Sequence, residues 1–154
     1  FITFDPNLRP ALWENEETMR SVINELASMA DVVLPGIEEC KILLGTTDME
    51  EAAQMYQKAG AKIVIIKDGS KGAFVKENEN TYTVPGFHVD KVVDTVGAGD
   101  GFAVGVISGI LERRTIKESV RRGNAIGAIQ VMNISDNEGL PTKEELDKFI
   151  ETNK

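Results

Sequence analysis

Short apolar runs alternate with segments of helical periodicity along this chain, and this alternation restricts the folds that it can adopt. The run at residues 62–67, Lys-Ile-Val-Ile-Ile-Lys, is rich in β-branched residues, as a central strand is. An earlier segment has apolar residues at helical spacing, which predicts an amphipathic helix with a stripe of Met19, Val22, Ile23, Leu26 and Met29. Strands that alternate with helices favour an α/β fold with a mostly parallel sheet flanked by helices.

The remaining elements follow from caps, glycines and turns. Further strands are predicted at residues 1–5, 31–35, 72–76 and 81–84, and helices at 37–44, 47–60, 99–111, 115–132 and from 141 onward. The helix near residue 47 is assigned from the capping-box spacing of Thr47-Asp48-Met49-Glu50. Neither a linker nor a repeat interrupts the pattern, so we expect residues 1–154 to form a single α/β domain.

Charge and cysteine content exclude several classes of function. A net charge of −8 argues against a nucleic-acid or anionic-membrane partner, because both need a basic face. One cysteine and one histidine exclude a disulfide framework and a zinc cluster, and the lack of disulfides suits the cytoplasm. The chain opens directly on the strand-like segment at residues 1–5, which we interpret as the interior of a longer protein.

The most informative motif is Asp94-Thr95-Val96-Gly97-Ala98-Gly99-Asp100-Gly101-Phe102, which leads into an apolar helix. Two glycines allow backbone N–H groups to approach a ligand, and a helix N-terminus adds unpaired donors with positive dipole character. Asp100 lies in the first turn, where that dipole favours its ionised form. A carboxylate beside a phosphate-binding turn is what phosphoryl transfer to an alcohol requires.

Other glycine motifs fit this stretch poorly. The dinucleotide pattern G-x-G-x-x-G fails because Phe102 stands at the third position, and no Gly-Lys-Ser/Thr follows as in a Walker loop. A structural alternative is a plain strand-to-helix turn, with glycines used for close helix packing at Gly101, Gly105 and Gly109. The full Asp94–Asp100 stretch favours ligand binding over that alternative.

The stretch resembles the D-T-x-G-A-G-D signature of the ribokinase, or PfkB, family of carbohydrate kinases. The resemblance implies a Rossmann-like ribokinase fold and transfer of the γ-phosphate of ATP to a sugar hydroxyl, helped by Mg²⁺. It assigns Asp100 as general base and Gly97, Ala98 and Gly99 as the anion hole. It covers only the C-terminal half of the family's length, without the N-terminal half and its lid.

Two loops extend the resemblance to nucleotide and substrate. The loop after the central strand is similar to the family's G-x-x-G nucleotide loop, which implies ATP contacts from Lys67, Gly69, Ser70, Lys71 and Gly72. A plain turn between strands is the alternative. The segment Asp5-Pro6-Asn7-Leu8-Arg9 resembles the D-x-N-x-R segment, which implies contacts to ATP from Asn7 and to ATP and substrate from Arg9.

Three further positions are carried over from the family. Glu39 matches the glutamate of N-x-x-E, which organises Mg²⁺ indirectly through water, although Gly36 replaces the usual Asn. A helix-stabilising acidic residue is the alternative role for Glu39. Asn124 resembles the adenine-side Asn, and Asp136 resembles a substrate-side Asp of the ketodeoxygluconate kinase branch.

The resemblance therefore implies a kinase for a sugar or sugar acid, with 2-keto-3-deoxygluconate as the leading substrate. ATP and Mg²⁺ are the expected cofactors, and the family also admits a monovalent cation. A fructokinase or ribokinase is the alternative within the family, and a non-catalytic nucleotide-binding domain is the alternative outside it. We expect the 154 residues alone to have little activity. Whether the full-length protein is a homo-oligomer stays open.

Overall fold

The computed structural model describes residues 1–134 and 139–153. Its strands are β1 (Thr3–Phe4), β2 (Val32–Val33), β3 (Ile63–Lys67), β4 (Gly72–Glu77) and β5 (Asn80–Pro85). Its helices are α1 (Glu16–Ser28), α2 (Ile37–Leu44), α3 (Met49–Ala59), α4 (Ala98–Leu111), α5 (Ile116–Gln130) and α6 (Lys143–Thr152). Short 3₁₀ helices occur at Pro10–Leu12 and Gly69–Lys71. No helix in this described part of the chain is long and apolar enough to cross a bilayer.

The five strands form one sheet in the order in which they occur along the chain. β1 pairs with β2 and β2 with β3 in parallel, so that Thr3, Val32 and Ile63 share a register. β4 and β5 are neighbours joined by only two residues, a connection short enough only for antiparallel strands. The α/β fold is confirmed, and the sheet is mixed, with parallel strands first and a hairpin last.

Contacts divide the chain into two compact units. The first consists of Phe1–Asp68 with Phe74–Thr83, and the second of Gly69–Ala73 with Val84–Lys154. The first has a core in which α1, α2 and α3 bury small and aromatic side chains against β2 and β3, among them Ala27, Val33, Cys40, Tyr56 and Val64. The second has its own core, formed by Phe87, Ala125, Ile126, Ala128 and Leu146.

Helix boundaries follow the predicted caps closely. α2 spans Ile37–Leu44 as predicted, and Thr115 caps α5 by accepting the N–H of Glu118 at 3.3 Å. α3 begins one residue later than its predicted capping box, because Asp48 rather than Thr47 accepts the N–H of Glu51. The assignment of Thr47 as the cap was therefore wrong.

The buried face of α1 differs from the predicted stripe. Met19, Ile23 and Ala27 are buried, whereas Leu26 and Met29 are 44% and 59% exposed. A four-residue spacing places the first three residues on one face, and Ala27 fills the position that Leu26 was expected to fill. The prediction was right for the helix and wrong for its last turn.

α4 and α5 pack with their backbones in contact. A Cβ added to Gly105 would lie 2.6 Å from the Cα of Gly123, and one added to Gly109 would lie 2.7 Å from the Cα of Ser119. Gly101, Gly105 and Gly109 therefore line one face of α4, and through that face the helix packs directly on α5. The packing role considered for these glycines in the sequence is confirmed.

Candidate active site

The N-terminus of α4 lacks a capping side chain. Gly97 is its N-cap residue, with φ = +77°, and has no side chain that could accept an N–H group of the first turn. The other long helices differ, since α1, α3, α5 and α6 are each capped by a side chain, from Asn15, Asp48, Thr115 and Thr142. The first N–H groups of a helix have no intrahelical acceptor, and such groups suit an anionic ligand. In α4 the N–H of Ala98 donates to the carbonyl oxygen of Thr95 over a long 3.4 Å.

The turn before α4 is shaped by its own side chains and backbone. Asp94 accepts the N–H of Val96 through Oδ1 at 3.0 Å, and Gly101 donates its N–H to the carbonyl oxygen of Gly97 at 2.8 Å. Between these bonds, Gly99 and Asp100 are exposed at the surface. The structure thus brings together uncapped N–H donors and an accessible carboxylate, as the sequence interpretation required. The role of Asp100 as a base stays a prediction.

Glycines of this region serve two separate purposes. Gly97 provides the left-handed turn, whereas Gly101 and Gly105 face α5. Asp100 lies on another face of α4, which it shares with the partly exposed Val104 and Ile107. The two interpretations of this glycine-rich stretch therefore apply to different residues: the turn presents Asp100, and the packing glycines fix the helix behind it.

The Gly69–Gly72 loop has one glycine explained by packing. Gly72 has φ = +101°, and a Cβ there would overlap the backbone of Val84 and Gly86. Gly69 has φ = +54° and open space around its Cα, and the following Ser70 and Lys71 are exposed. The approach of the chain at residues 84–86 is enough to require Gly72, and the nucleotide contacts of this loop stay predictions.

Lys67 is engaged at the carboxyl end of β3. Its Nζ lies 2.6 Å from Oδ2 of Asp5, and both side chains are 18% exposed. Burial raises the pKa of the Asp5 carboxyl, and the Lys67 ammonium opposes that rise. The sequence alone gives Asp5 no role of its own. Only the strand order β1-β2-β3 shows that residues 5 and 67, after β1 and at the end of β3, lie at the same edge of the sheet.

Asn7 and Arg9 lie in the loop after β1. Asn7 has φ = +41°, and its N–H donates to Oδ1 of Asp5 at 3.2 Å. Nη1 of Arg9 lies 2.7 Å from Oδ1 of Asn7. Both predicted contact residues are exposed, so the loop presents a polar surface.

Glu39 uses both carboxylate oxygens on backbone groups. Oε1 accepts the N–H of Leu8 at 2.8 Å and Oε2 accepts the N–H of Gly36 at 2.7 Å. In residues 1–134 and 139–153, no group of three or more His, Cys, Asp or Glu side chains could hold a metal ion. The indirect role of Glu39 toward Mg²⁺ stays a prediction.

Asn124 is buried in α5, and its side-chain amide is already hydrogen-bonded to the protein backbone. Its Nδ2 donates to the carbonyl oxygens of Val84 and Pro85, each at 3.0 Å, and the residue is 8% exposed. These bonds explain an Asn in the middle of a helix without a ligand, and its adenine contact stays a prediction. Asp136 lies outside the described residues.

Comparisons with known proteins agree with one another. A model described as pfkB family carbohydrate kinase matches residues 1–143. The chain is 52% identical over 149 residues to 2-dehydro-3-deoxygluconokinase from Bacillus subtilis (strain 168), which covers 97% of this chain and 46% of that relative.

Solved structures show the same similarity. A PfkB protein from Polaromonas sp. JS666 is 48% identical with a TM-score of 0.83, covering 94% of this chain and 45% of that one. A fructokinase double mutant from Vibrio cholerae O395, in its fructose, ADP and potassium ion bound form, is 30% identical with a TM-score of 0.90, covering 96% and 49%. The chain therefore spans about half the length of the relatives that it matches.

Proposed function

Because the chain belongs to the pfkB family of carbohydrate kinases, we propose that the full-length protein containing it transfers the γ-phosphoryl group of ATP to a hydroxyl of 2-keto-3-deoxygluconate. This compound is the 2-dehydro-3-deoxygluconate named for the Bacillus subtilis relative. The observation that carries the proposal is the uncapped N-terminus of α4, with the exposed Asp100 in its first turn. Donors and a carboxylate at one helix end suit phosphoryl transfer to an alcohol.

The reaction places a base and an anion hole at that helix end. Asp100 takes the proton of the attacking hydroxyl as its oxygen forms a bond to the γ-phosphorus, while the bond to the β-phosphate oxygen breaks and ADP leaves. N–H groups of Gly97, Ala98 and Gly99 stabilise the charge that develops on the transferred group. The exposure of Asp100 at the surface is consistent with this role.

The remaining residues are proposed to bind the two substrates. The Gly69–Gly72 loop, with Ser70 and Lys71, would contact ATP phosphates or ribose, and Asn124 would lie on the adenine side. Arg9 would bind the sugar-acid carboxylate or the transferred phosphate, because its guanidinium offers two parallel donors.

The metal ions of this proposal would be bound mainly by the phosphate groups of ATP. Mg²⁺ would neutralise phosphate charge, and Glu39 would orient it through water rather than by direct ligation, since its oxygens already accept two backbone N–H groups. A monovalent cation, such as the potassium ion bound to the Vibrio cholerae fructokinase, belongs to the same proposal.

The test is an assay of the full-length protein with ATP and a panel of 2-keto-3-deoxygluconate, fructose and ribose. Asp100→Asn should lower kcat by about 10²–10⁴-fold, the usual weight of a general base. Asp90→Asn is the matched control, because Asp90 is another exposed aspartate that no role is assigned to. Wild-type turnover in Asp100→Asn would overturn the assignment of the base.

A fructokinase is the second candidate, favoured by the 0.90 TM-score to the Vibrio cholerae structure. Preference for fructose over 2-keto-3-deoxygluconate in the same panel would select it. Nucleotide binding by the full-length protein without phosphotransfer to any of these sugars would instead indicate a non-catalytic domain.

A further inference from the structure

The loop between Asp5 and Arg9 is held at two points by carboxylates. Asp5 accepts the N–H of Asn7 at 3.2 Å, and Glu39 accepts the N–H of Leu8 at 2.8 Å. These two consecutive backbone groups lie directly before Arg9. The loop backbone is therefore restrained where it must turn, at the residue with the left-handed φ of +41°.

The guanidinium of Arg9 is oriented by that same backbone. Its Nη1 lies 2.7 Å from Oδ1 of Asn7, 2.9 Å from the carbonyl oxygen of Leu8 and 3.3 Å from that of Asn7. In the described part of the chain, Nε and Nη2 of Arg9 donate to no protein oxygen. Nη1 is thus fixed to the loop, and Nε with Nη2 forms a free fork of the kind that binds a carboxylate or phosphate side-on.

Lys67, at the end of β3, supports this arrangement through its ion pair with Asp5. The 2.6 Å pair with Asp5 joins the end of β3 to the end of β1, with β2 between them. Both partners are four-fifths buried, so neither charge is well hydrated without the other. Glu39 adds a second negative charge near Asp5, so removal of Lys67 would leave Asp5 poorly compensated.

We propose that Lys67 is a positioning residue for substrate binding, which holds Asp5 and, through Asp5 and Asn7, sets the direction in which Arg9 presents its free fork. This inference rests on the proposed function and changes the part assigned to Lys67, from a nucleotide contact to a support for Arg9. The acceptor of the fork is the anionic group of the sugar acid.

The kinetic test compares Lys67→Met, Lys67→Arg, Arg9→Met and the Lys67→Met/Arg9→Met pair in the full-length protein. Lys67→Met should raise KM for 2-keto-3-deoxygluconate about tenfold, the lower range for a lost charged hydrogen bond, and leave KM for ATP within about twofold. Lys67→Arg should restore most of the loss. The double variant should be no worse than Arg9→Met alone, because residues that act through one another are not additive.

Two kinetic results would overturn the proposal. One is a raised KM for ATP with an unchanged KM for the sugar acid, which would make Lys67 a nucleotide contact. The other is an additive double variant. Should Lys67→Met fold poorly, Asp5→Asn/Lys67→Met removes both buried charges and carries the same expected rise in KM.

A second measurement does not depend on activity. Hydrogen exchange at the Asn7 amide should accelerate several-fold in Lys67→Met, because its acceptor on Asp5 is no longer held. The Glu51 amide, bonded to Asp48, is the internal control and should not change. An unchanged Asn7 rate would overturn the positioning role even in an inactive protein, whereas a wild-type protein without phosphotransfer would refute only the proposed function.

Discussion

Gly105→Ala tests whether α4 is seated on α5 through its backbone. The added methyl group would lie 2.6 Å from both the Cα and the N of Gly123, and 2.7 Å from the carbonyl carbon of Arg122. All three are main-chain atoms, so no side chain can rotate away to make room. The helices themselves have to move apart.

The size of the effect follows from these distances. Non-bonded carbon atoms are comfortable at about 3.5–4.0 Å, so the helices must separate by about 1 Å. Overpacking of this kind costs about 1–3 kcal/mol, and a backbone obstacle places it at the upper end. Alanine regains about 1 kcal/mol through helix propensity. The expected net loss is about 2 kcal/mol in the free energy of unfolding.

The assay is thermal denaturation followed by circular dichroism. A loss of that size should lower Tm by about 4–8 °C in a chain of this length. Gly127→Ala is the matched control, because it is another helical glycine whose added Cβ meets only the carbonyl oxygen of Ala98, at 3.4 Å. The control should be neutral or slightly stabilised. A Gly105→Ala chain as stable as Gly127→Ala would refute the backbone-contact reasoning.

Four further outcomes, at three residues, can be checked by standard measurements. Asn124→Ala should lower the free energy of unfolding by about 1–3 kcal/mol, because the carbonyl oxygens of Val84 and Pro85 lose a donor in a buried and a part-buried bond; a denaturant titration with an unchanged midpoint would contradict this. Thr115→Ala should cost about 1 kcal/mol through loss of the α5 cap, seen in the same titration. Burial raises the pKa of the Cys40 thiol to about 12, so a thiol reagent should react only after unfolding. The unfolded chain releases that proton near pH 9, so stability should fall as pH rises from about 9 to 12, and Cys40→Ala should remove this part of the slope.

Local signals in the sequence were sufficient to predict most of the helices. The cap at Thr115 and the apolar run after Gly97 specify their helices through neighbouring residues alone, and both helices begin within one residue of the predicted start. The candidate anion-binding turn could be singled out for the same reason, since its glycines and Asp100 are adjacent in the chain. The geometry of a motif confined to one turn is determined mainly by the residues of that turn.

Features that depend on distant residues could not be predicted in the same way. The Asp5–Lys67 pair joins residues 62 positions apart, and it requires the order of β1, β2 and β3, which no local pattern encodes. The exposed Leu26 is a similar case, because periodicity gives a stripe but not its edge. Tertiary packing decided that Ala27 would be the residue turned inward.

The glycine contact between α4 and α5 also bears on how a protein of this kind changes over evolution. Ordinary helix interfaces drift as large and small side chains are exchanged in compensating pairs. A face built on Gly105 against Gly123 has no side-chain atoms to exchange, so we expect the position of α4 against α5 to change little. If the full-length protein is the proposed kinase, its acceptor preference is then expected to change through the surrounding loops, while Asp100 keeps its position.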